Sequence, residues 1–149
     1  MVSELAQWRT MQGRTARWER TARALALHTR PGESIVYGAI GAVGYRTDLH
    51  VFDPLGLVSP EVARRGEPPR RASPGHDLRV PPEWFIERQP DYLGAFVVPR
   101  STPARAGIRP EWRRSDWYRR LRVERVPLPS GPDFAEGSEL RLLRLDWSR

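Results

Sequence analysis

Apolar side chains recur at steps of three and four in the first thirty residues, which is the spacing of one helix face. The members of this stripe are Trp8, Met11, Thr15, Trp18, Ala22 and Leu25. Gly13 weakens the pattern, and Arg30–Glu33 ends it. We therefore predict an N-terminal helix over about residues 3–29, interrupted or restarted near Gly13. Trp18 is expected to pack on a sheet, whereas Trp8 is left open between packing and contact with a neighbouring protein.

Two short apolar runs follow the predicted helix, and a glycine-rich segment separates them. Ile35–Tyr37 and Leu49–Phe52 are rich in β-prone residues, with Gly38, Gly41 and Gly44 between them. So short a crossover favours parallel neighbouring strands joined by a small helix. We interpret the glycines as allowing this helix to pack tightly over the strand.

The middle of the chain alternates short helical patterns with loops. Ser59, Pro60 and Glu61 form a helix start, and that helix is expected to reach about Arg65. Residues 66–77 then form a long loop rich in proline and arginine, which is typical of functional or disordered segments. A helix over 83–89, with Trp84 and Phe85 facing the sheet, and a strand over 91–98 are predicted next.

The last third of the chain predicts a loop, an aromatic segment and two strands. Residues 100–109 suggest a flexible loop, and residues 110–121 carry tryptophans that we expect to pack on the core. Residues 122–126 and 140–145 alternate charged with apolar side chains, which predicts an antiparallel pair at a sheet edge.

These elements predict one α/β domain over residues 1–149. We expect a small sheet in two or three layers, with parallel central strands, helices packed on it and an antiparallel C-terminal edge. The N-terminal helix would occupy about residues 3–29, the α/β core about 33–98, and the loop and edge strands about 99–149.

The composition adds a strong positive charge without identifying a partner. All 25 basic residues are arginine, and the net charge is +7. Because the arginines are dispersed among acidic residues, no specific nucleic-acid partner is expected, although the charge favours non-specific attraction to anionic surfaces. No apolar run approaches the roughly 18 residues that a membrane-spanning helix needs.

Polar residues near the ends of the predicted strands suggest a ligand site. In open α/β sheets, ligands bind beyond the carboxyl ends of the strands. Asp53 ends the second strand, where it either fixes a turn or contacts a ligand, and His76 lies in a Pro-Gly turn. The full set of ligand-binding candidates is Tyr37, Tyr45, Asp48, Asp53, His76 and Arg88. Such side chains suit a hydroxyl-rich ligand such as a sugar.

Several kinds of chemistry lack support in the sequence. Cysteine is absent, and no G-x-S-x-G motif is present, so a thiol or α/β-hydrolase nucleophile is not expected. The spacing of Gly38, Gly41 and Gly44 is not that of a dinucleotide-binding loop. A metal site at His50, Asp53 and His76 is disfavoured because neighbouring strand residues face opposite sides. We predict no catalytic residues, no metal and no cofactor.

Four ordered pieces of sequence between about Trp18 and Val97 resemble a known group of proteins. The pieces are Val36–Tyr45, Leu49–Leu57 with Pro60–Arg64, Gly75-His76, and Arg88–Tyr92. Together they resemble the soluble C-terminal domain of bacterial membrane glycosyltransferases of the GT-C type, which use polyprenyl-phosphate sugars and include arabinofuranosyltransferase-like proteins.

The resemblance implies an extracytoplasmic domain beside a membrane-embedded catalytic unit. The catalytic acid of such enzymes lies in their membrane region, so this chain is expected to be an excised domain or a solitary relative. We therefore expect a non-catalytic accessory domain on the outer side of the cytoplasmic membrane, with the membrane region as partner and a glycan as ligand. Two alternatives remain open: a small enzyme that acts on a glycosylated or phosphorylated substrate through Asp53 and His76, and a basic nucleic-acid-binding module.

Overall fold

An N-terminal helix, α1, spans Glu4–His28 in the computed structural model, which describes residues 4–68 and 78–148. The predicted helix is confirmed, but Gly13 does not interrupt it. The C-terminal half of α1 packs on the sheet through Ala22 and Leu25, which are fully buried. Trp18 is half-buried, whereas Trp8 is 59% exposed and therefore does not pack on the sheet.

The predicted parallel unit is present. Strand β1 spans Ser34–Val36, helix α2 spans Ile40–Arg46 and strand β2 spans His50–Phe52. The two strands pair in parallel, with Ser34 opposite His50 and Val36 opposite Phe52. A crossover with one short helix is sufficient to join parallel strands here, because each strand has only three residues.

Two short helices connect β2 to the next strand. Helix α3 spans Pro60–Arg65 and buries Val62, and a 3-10 helix over Pro82–Arg88 buries Phe85. Trp84 was expected to face the sheet beside Phe85, but it is 37% exposed. A 3-10 helix turns through about 120° per residue, so neighbouring side chains diverge and only one of the two faces the core.

Strand β3 spans Tyr92–Pro99, β4 spans Leu121–Pro127 and β5 spans Ser138–Leu145. The strand order is β2-β1-β3-β5-β4, with β1 and β3 parallel and β3, β5 and β4 antiparallel. The predicted mixed sheet with parallel central strands and an antiparallel C-terminal edge is thus confirmed.

Apolar side chains cover both faces of this sheet, so the fold has three layers. Ile35, Tyr92 and Leu142 pack on the side of α1 and α2, together with Leu25 and Val43. The opposite face is covered by α3, the 3-10 helix Pro82–Arg88 and the segment over residues 110–120. The buried residues of this second cluster are Val36, Val62, Val80, Phe85, Leu93, Trp112, Leu121, Leu143 and Leu145. Alternation along each strand divides its residues between the two clusters.

The tryptophans of the late aromatic segment pack on the core, as expected. The segment forms two 3-10 helices, Pro110–Arg114 and Asp116–Arg120, rather than one amphipathic helix. Trp112 is buried and lies edge-on to Trp117, with ring centroids 5.7 Å apart. The segment therefore closes one face of the sheet.

A buried ion cluster holds the loop over residues 100–109 against the sheet. Glu139 and Arg141 are both almost fully buried, and the Nε of Arg141 donates to Glu139 at 2.7 Å. Arg125 also donates to both carboxylate oxygens of Glu139, at 3.0 and 3.1 Å. The two terminal nitrogens of Arg141 donate to the carbonyls of Thr102 and Pro103. Burial raises the pKa of Glu139, but hydrogen bonds from the two arginines outweigh it and hold that pKa below its ordinary value.

Candidate functional site

Asp53 fixes the loop that leaves the carboxyl end of β2. Its side chain is fully buried, and its two carboxylate oxygens accept the backbone N–H groups of Leu55 at 2.8 Å and Val58 at 2.9 Å. Its own N–H donates to the Ser59 hydroxyl at 3.3 Å, so Ser59 supports this loop and makes no capping bond to α3. The turn-fixing role that the sequence suggested for Asp53 is confirmed. Its contact with a ligand stays a prediction.

Tyr37 directly follows β1 but turns away from Asp53. It packs against the core cluster on the side of α1 and α2, as the alternation of β1 requires. Burial raises the pKa of its phenol, against smaller opposing effects from Thr21 and Arg17 on α1. Tyr37 therefore belongs to the contact between α1 and the sheet.

Tyr45 and Asp48 lie elsewhere on the molecule. Tyr45 projects from α2 and is 86% exposed. Asp48 is exposed and precedes β2, so it lies at the amino end of a strand that has Asp53 at its carboxyl end. Asp48 and Asp53 are separated by the length of the strand, and the structure does not bring them together.

Arg88 is the candidate that lies in a cleft. Its guanidinium lies 3.4 Å from the carboxylate of Glu61, at the start of α3. His76 lies outside the described residues, and its role stays a prediction. The five described candidates are thus distributed over separate places, and no single site joins them.

The cleft lies between α3 and the 3-10 helix Pro82–Arg88 and has a volume of about 790 Å³. Three glutamates and three arginines line it, so its formal charges balance. The lining residues are Glu61, Arg64, Arg65, Glu83, Trp84, Ile86, Glu87 and Arg88. Trp84 is the large exposed ring in this wall, and it lies edge-on against the buried ring of Phe85, 5.1 Å away. The wall thus offers an aromatic ring among hydrogen-bonding side chains.

The carboxylate of Glu83, in this wall, has one oxygen that accepts no hydrogen bond from the described residues. Its Oε1 lies 3.6 Å from the Arg109 guanidinium, which itself lies over the ring of Trp112. Its Oε2 is buried and, among the residues that the structure describes, has no hydrogen-bond partner. A buried acceptor without a partner costs about 1–3 kcal/mol, so a donor that reaches this oxygen would be stabilising.

Sequence reasoning missed this cleft because its walls are separated by about twenty residues in the chain. Glu83 and Trp84 were expected only in a helix that covers the sheet. The residue pattern predicts a helix here, but it does not show which of the neighbouring residues Trp84 and Phe85 faces the core.

Within residues 4–68 and 78–148, no helix is both long and apolar enough to cross a bilayer. The same ranges contain no group of three or more acidic or histidine side chains placed to hold a metal ion.

One family model matches the chain. No curated protein and no solved structure matches the chain. A family model described as a domain of unknown function, DUF8728, matches residues 4–135, which include α1, the parallel unit, the cleft and β4. By this match over most of its length, the chain belongs to the DUF8728 family.

Proposed function

We propose that this chain is a non-catalytic accessory domain of a membrane glycosyltransferase system, and that it binds a glycan outside the cytoplasmic membrane. The observation that carries the glycan-binding part is the cleft wall formed by Glu83 and Trp84. The wall contains the exposed indole ring of Trp84 and, at the preceding residue, a carboxylate whose buried Oε2 lacks a hydrogen-bond partner among the described residues. Sugars have apolar faces for the ring and hydroxyl donors for the oxygen.

The balanced charge of the cleft favours a neutral ligand over a polyanion. The wall contains as many glutamates as arginines, and Arg88 contacts Glu61. A phosphate group bound here would lie close to three carboxylates, which repel an anion. A neutral sugar instead uses donors and acceptors of both kinds, which this wall supplies.

The membrane setting rests on the resemblance of the ordered sequence pieces to domains of GT-C glycosyltransferases. Three of the four pieces coincide with β1, α2, β2, α3 and the start of β3, and Gly75-His76 lies outside the described residues. The alternative of an enzyme acting through Asp53 has less support, because both carboxylate oxygens accept backbone N–H groups and the side chain is buried.

Glycan binding is tested with an array of neutral oligosaccharides and three proteins. The wild-type chain is expected to bind at least one glycan, and Trp84→Ala is expected to weaken that binding about tenfold or more by removing the ring. Tyr45→Ala is the matched control, because it removes an exposed aromatic ring far from the cleft. Loss of binding in both variants, or in neither, would contradict the assignment of the cleft.

The membrane setting is tested separately by fractionation of the host with an antibody against this domain. A signal in the membrane fraction is expected, carried either by a longer protein or by this chain bound to a membrane partner. A 17.1 kDa band confined to the soluble fraction would contradict this part of the proposal.

A further inference from the structure

The N-terminal half of α1 presents an exposed apolar surface. Leu5, Trp8 and Met11 are 58%, 59% and 43% exposed. At about 100° per residue, positions spaced by three cover about 120° of the helix circumference, so these side chains form one continuous stripe. Trp8 and Met11 also line a shallow, mostly apolar groove with Gln12, Thr15, Ala16 and Glu19, and the Glu19 carboxylate is paired with Arg46.

This half of the helix lacks support from the rest of the described structure. Every residue from Leu5 to Gly13 is exposed, and a Cβ added at Gly13 would meet no atom within 4 Å. Helical segments this short are marginal in water without tertiary contacts, and Gly13 weakens this one further. A surface that covers the stripe would therefore stabilise the helix.

The charge on this half of α1 is net positive. Residues 4–18 contain Arg9, Arg14 and Arg17 and one acidic residue, Glu4. On the helical wheel the three arginines lie outside the stripe of Leu5, Trp8 and Met11. An apolar stripe with tryptophan and a basic polar face are together characteristic of helices that lie in the interface of an anionic bilayer.

We infer that the N-terminal half of α1 docks on an anionic phospholipid surface. The stripe would enter the headgroup region while the arginines contact lipid phosphates. A second copy of the chain is a poorer occupant, because the two stripes would bring their arginines together and each chain carries a net charge of +7. Nucleic acid would bind the arginines but would leave the apolar side chains of Leu5 and Met11 exposed to water.

This inference rests on the proposed function for the presence of a membrane nearby, but it concerns a different surface. The cleft is formed by α3 and a 3-10 helix, whereas the stripe belongs to α1. Lipid binding and glycan binding can therefore fail independently of each other.

Co-sedimentation with unilamellar vesicles tests the inference. The full chain is expected to bind vesicles that contain phosphatidylglycerol, to bind pure phosphatidylcholine much more weakly, and to lose affinity as salt increases. Trp8→Glu and, independently, Met11→Glu are expected to weaken binding about tenfold or more. Leu27→Glu is the matched control, since Leu27 is 60% exposed near the opposite end of α1 and should leave binding within about twofold.

Three results would overturn the inference. The first is absence of binding to phosphatidylglycerol vesicles. The second is equal binding by Trp8→Glu, Leu27→Glu and the wild type, which would show attraction by net charge alone. The third is a dimer in solution that Trp8→Glu abolishes, which would make a second copy the occupant. Retention of glycan binding by Trp8→Glu would show that the variant is folded and that the two surfaces act separately.

Discussion

The buried carboxylate of Asp53 shapes the turn that follows β2 by accepting backbone N–H groups. An aspartate between a strand and a Pro-Leu-Gly turn can accept backbone N–H groups two or more residues ahead, and here it accepts those of Leu55 and Val58. Because this chemistry lies within six residues of chain, the turn could be predicted without knowledge of the tertiary fold. The turn that Asp53 fixes leads into α3, which forms one wall of the cleft.

Asp53→Asn is expected to lower the free energy of unfolding by about 1–3 kcal/mol. The amide keeps one acceptor but directs an NH₂ group at the second backbone N–H, which is then left without a partner. Urea unfolding provides the measurement. Asp48→Asn is the control, because Asp48 is exposed and its substitution should change stability by less than about 0.5 kcal/mol. Equal effects of the two substitutions would contradict the turn-fixing role.

Asp91 and Tyr92, which end the Arg88–Tyr92 piece of the resemblance, make hydrogen bonds at the start of β1. The Asp91 carboxylate accepts the backbone N–H of Ser34 at 2.7 Å and its hydroxyl at 2.8 Å, which joins the starts of β1 and β3. The Tyr92 hydroxyl donates to Glu33 at 3.0 Å, and burial, with the Glu33 carboxylate, raises the pKa of that phenol. This piece aligns the parallel strands. Its long-range partners could not be identified from the sequence.

Helix α1 could be predicted from apolar residues at steps of three and four, and the strands from short runs of β-prone residues or from alternation of charged and apolar residues. The short helices were located correctly, but Pro82–Arg88 is a 3-10 helix, and Trp84 is exposed rather than packed on the sheet. The expected tight packing at Gly41 and Gly44 was wrong, since a Cβ added at either would meet no atom within 4 Å. Gly38 does pack closely, since a Cβ added there would lie 3.0 Å from a Leu55 methyl carbon.

Gly44→Ala is expected to stabilise the protein by about 0.5–1 kcal/mol. Gly44 lies inside α2, where alanine loses less conformational entropy on folding and would contact no neighbour. Thermal unfolding measures the change. Gly107→Ala should have the opposite sign, because Gly107 has φ = +87° and the Phe96 ring occupies the space of a Cβ. Destabilisation by Gly44→Ala would show that α2 packs more closely than the structure indicates.

At the scale of the whole molecule, the buried cluster of Glu139 and Arg141 links the sheet to the loop over residues 100–109. Charged side chains in the final strand were expected to face solvent in alternation, as at a sheet edge. Instead β4 occupies the edge, and β5 lies between β3 and β4, where Arg141 is fully buried. Which strand is central depends on the chain topology, and residue alternation does not reveal it.

Stability is expected to fall as the pH decreases below about 4.5, the ordinary pKa of a glutamate. Glu139 has a lowered pKa in the folded state, so its contribution is fully present above 4.5 and is lost as the pH falls through the folded-state pKa. Urea midpoints between pH 7 and pH 3 measure the loss. Glu139→Gln should flatten this dependence, whereas Glu136→Gln, at an exposed position, should not. An unchanged slope in Glu139→Gln would contradict the prediction.

The glycan site is tested most directly by an NMR titration of the isotope-labelled chain with the tightest-binding neutral oligosaccharide from the array. The six tryptophans each give an indole N–H signal, and Trp84→Phe assigns that of Trp84. We expect saturable shifts in this signal and in the backbone amides of Glu61, Glu83 and Arg88, with little change along α1. Shifts that avoid the cleft, or no saturable shift at millimolar sugar, would show that this cleft is not a glycan site.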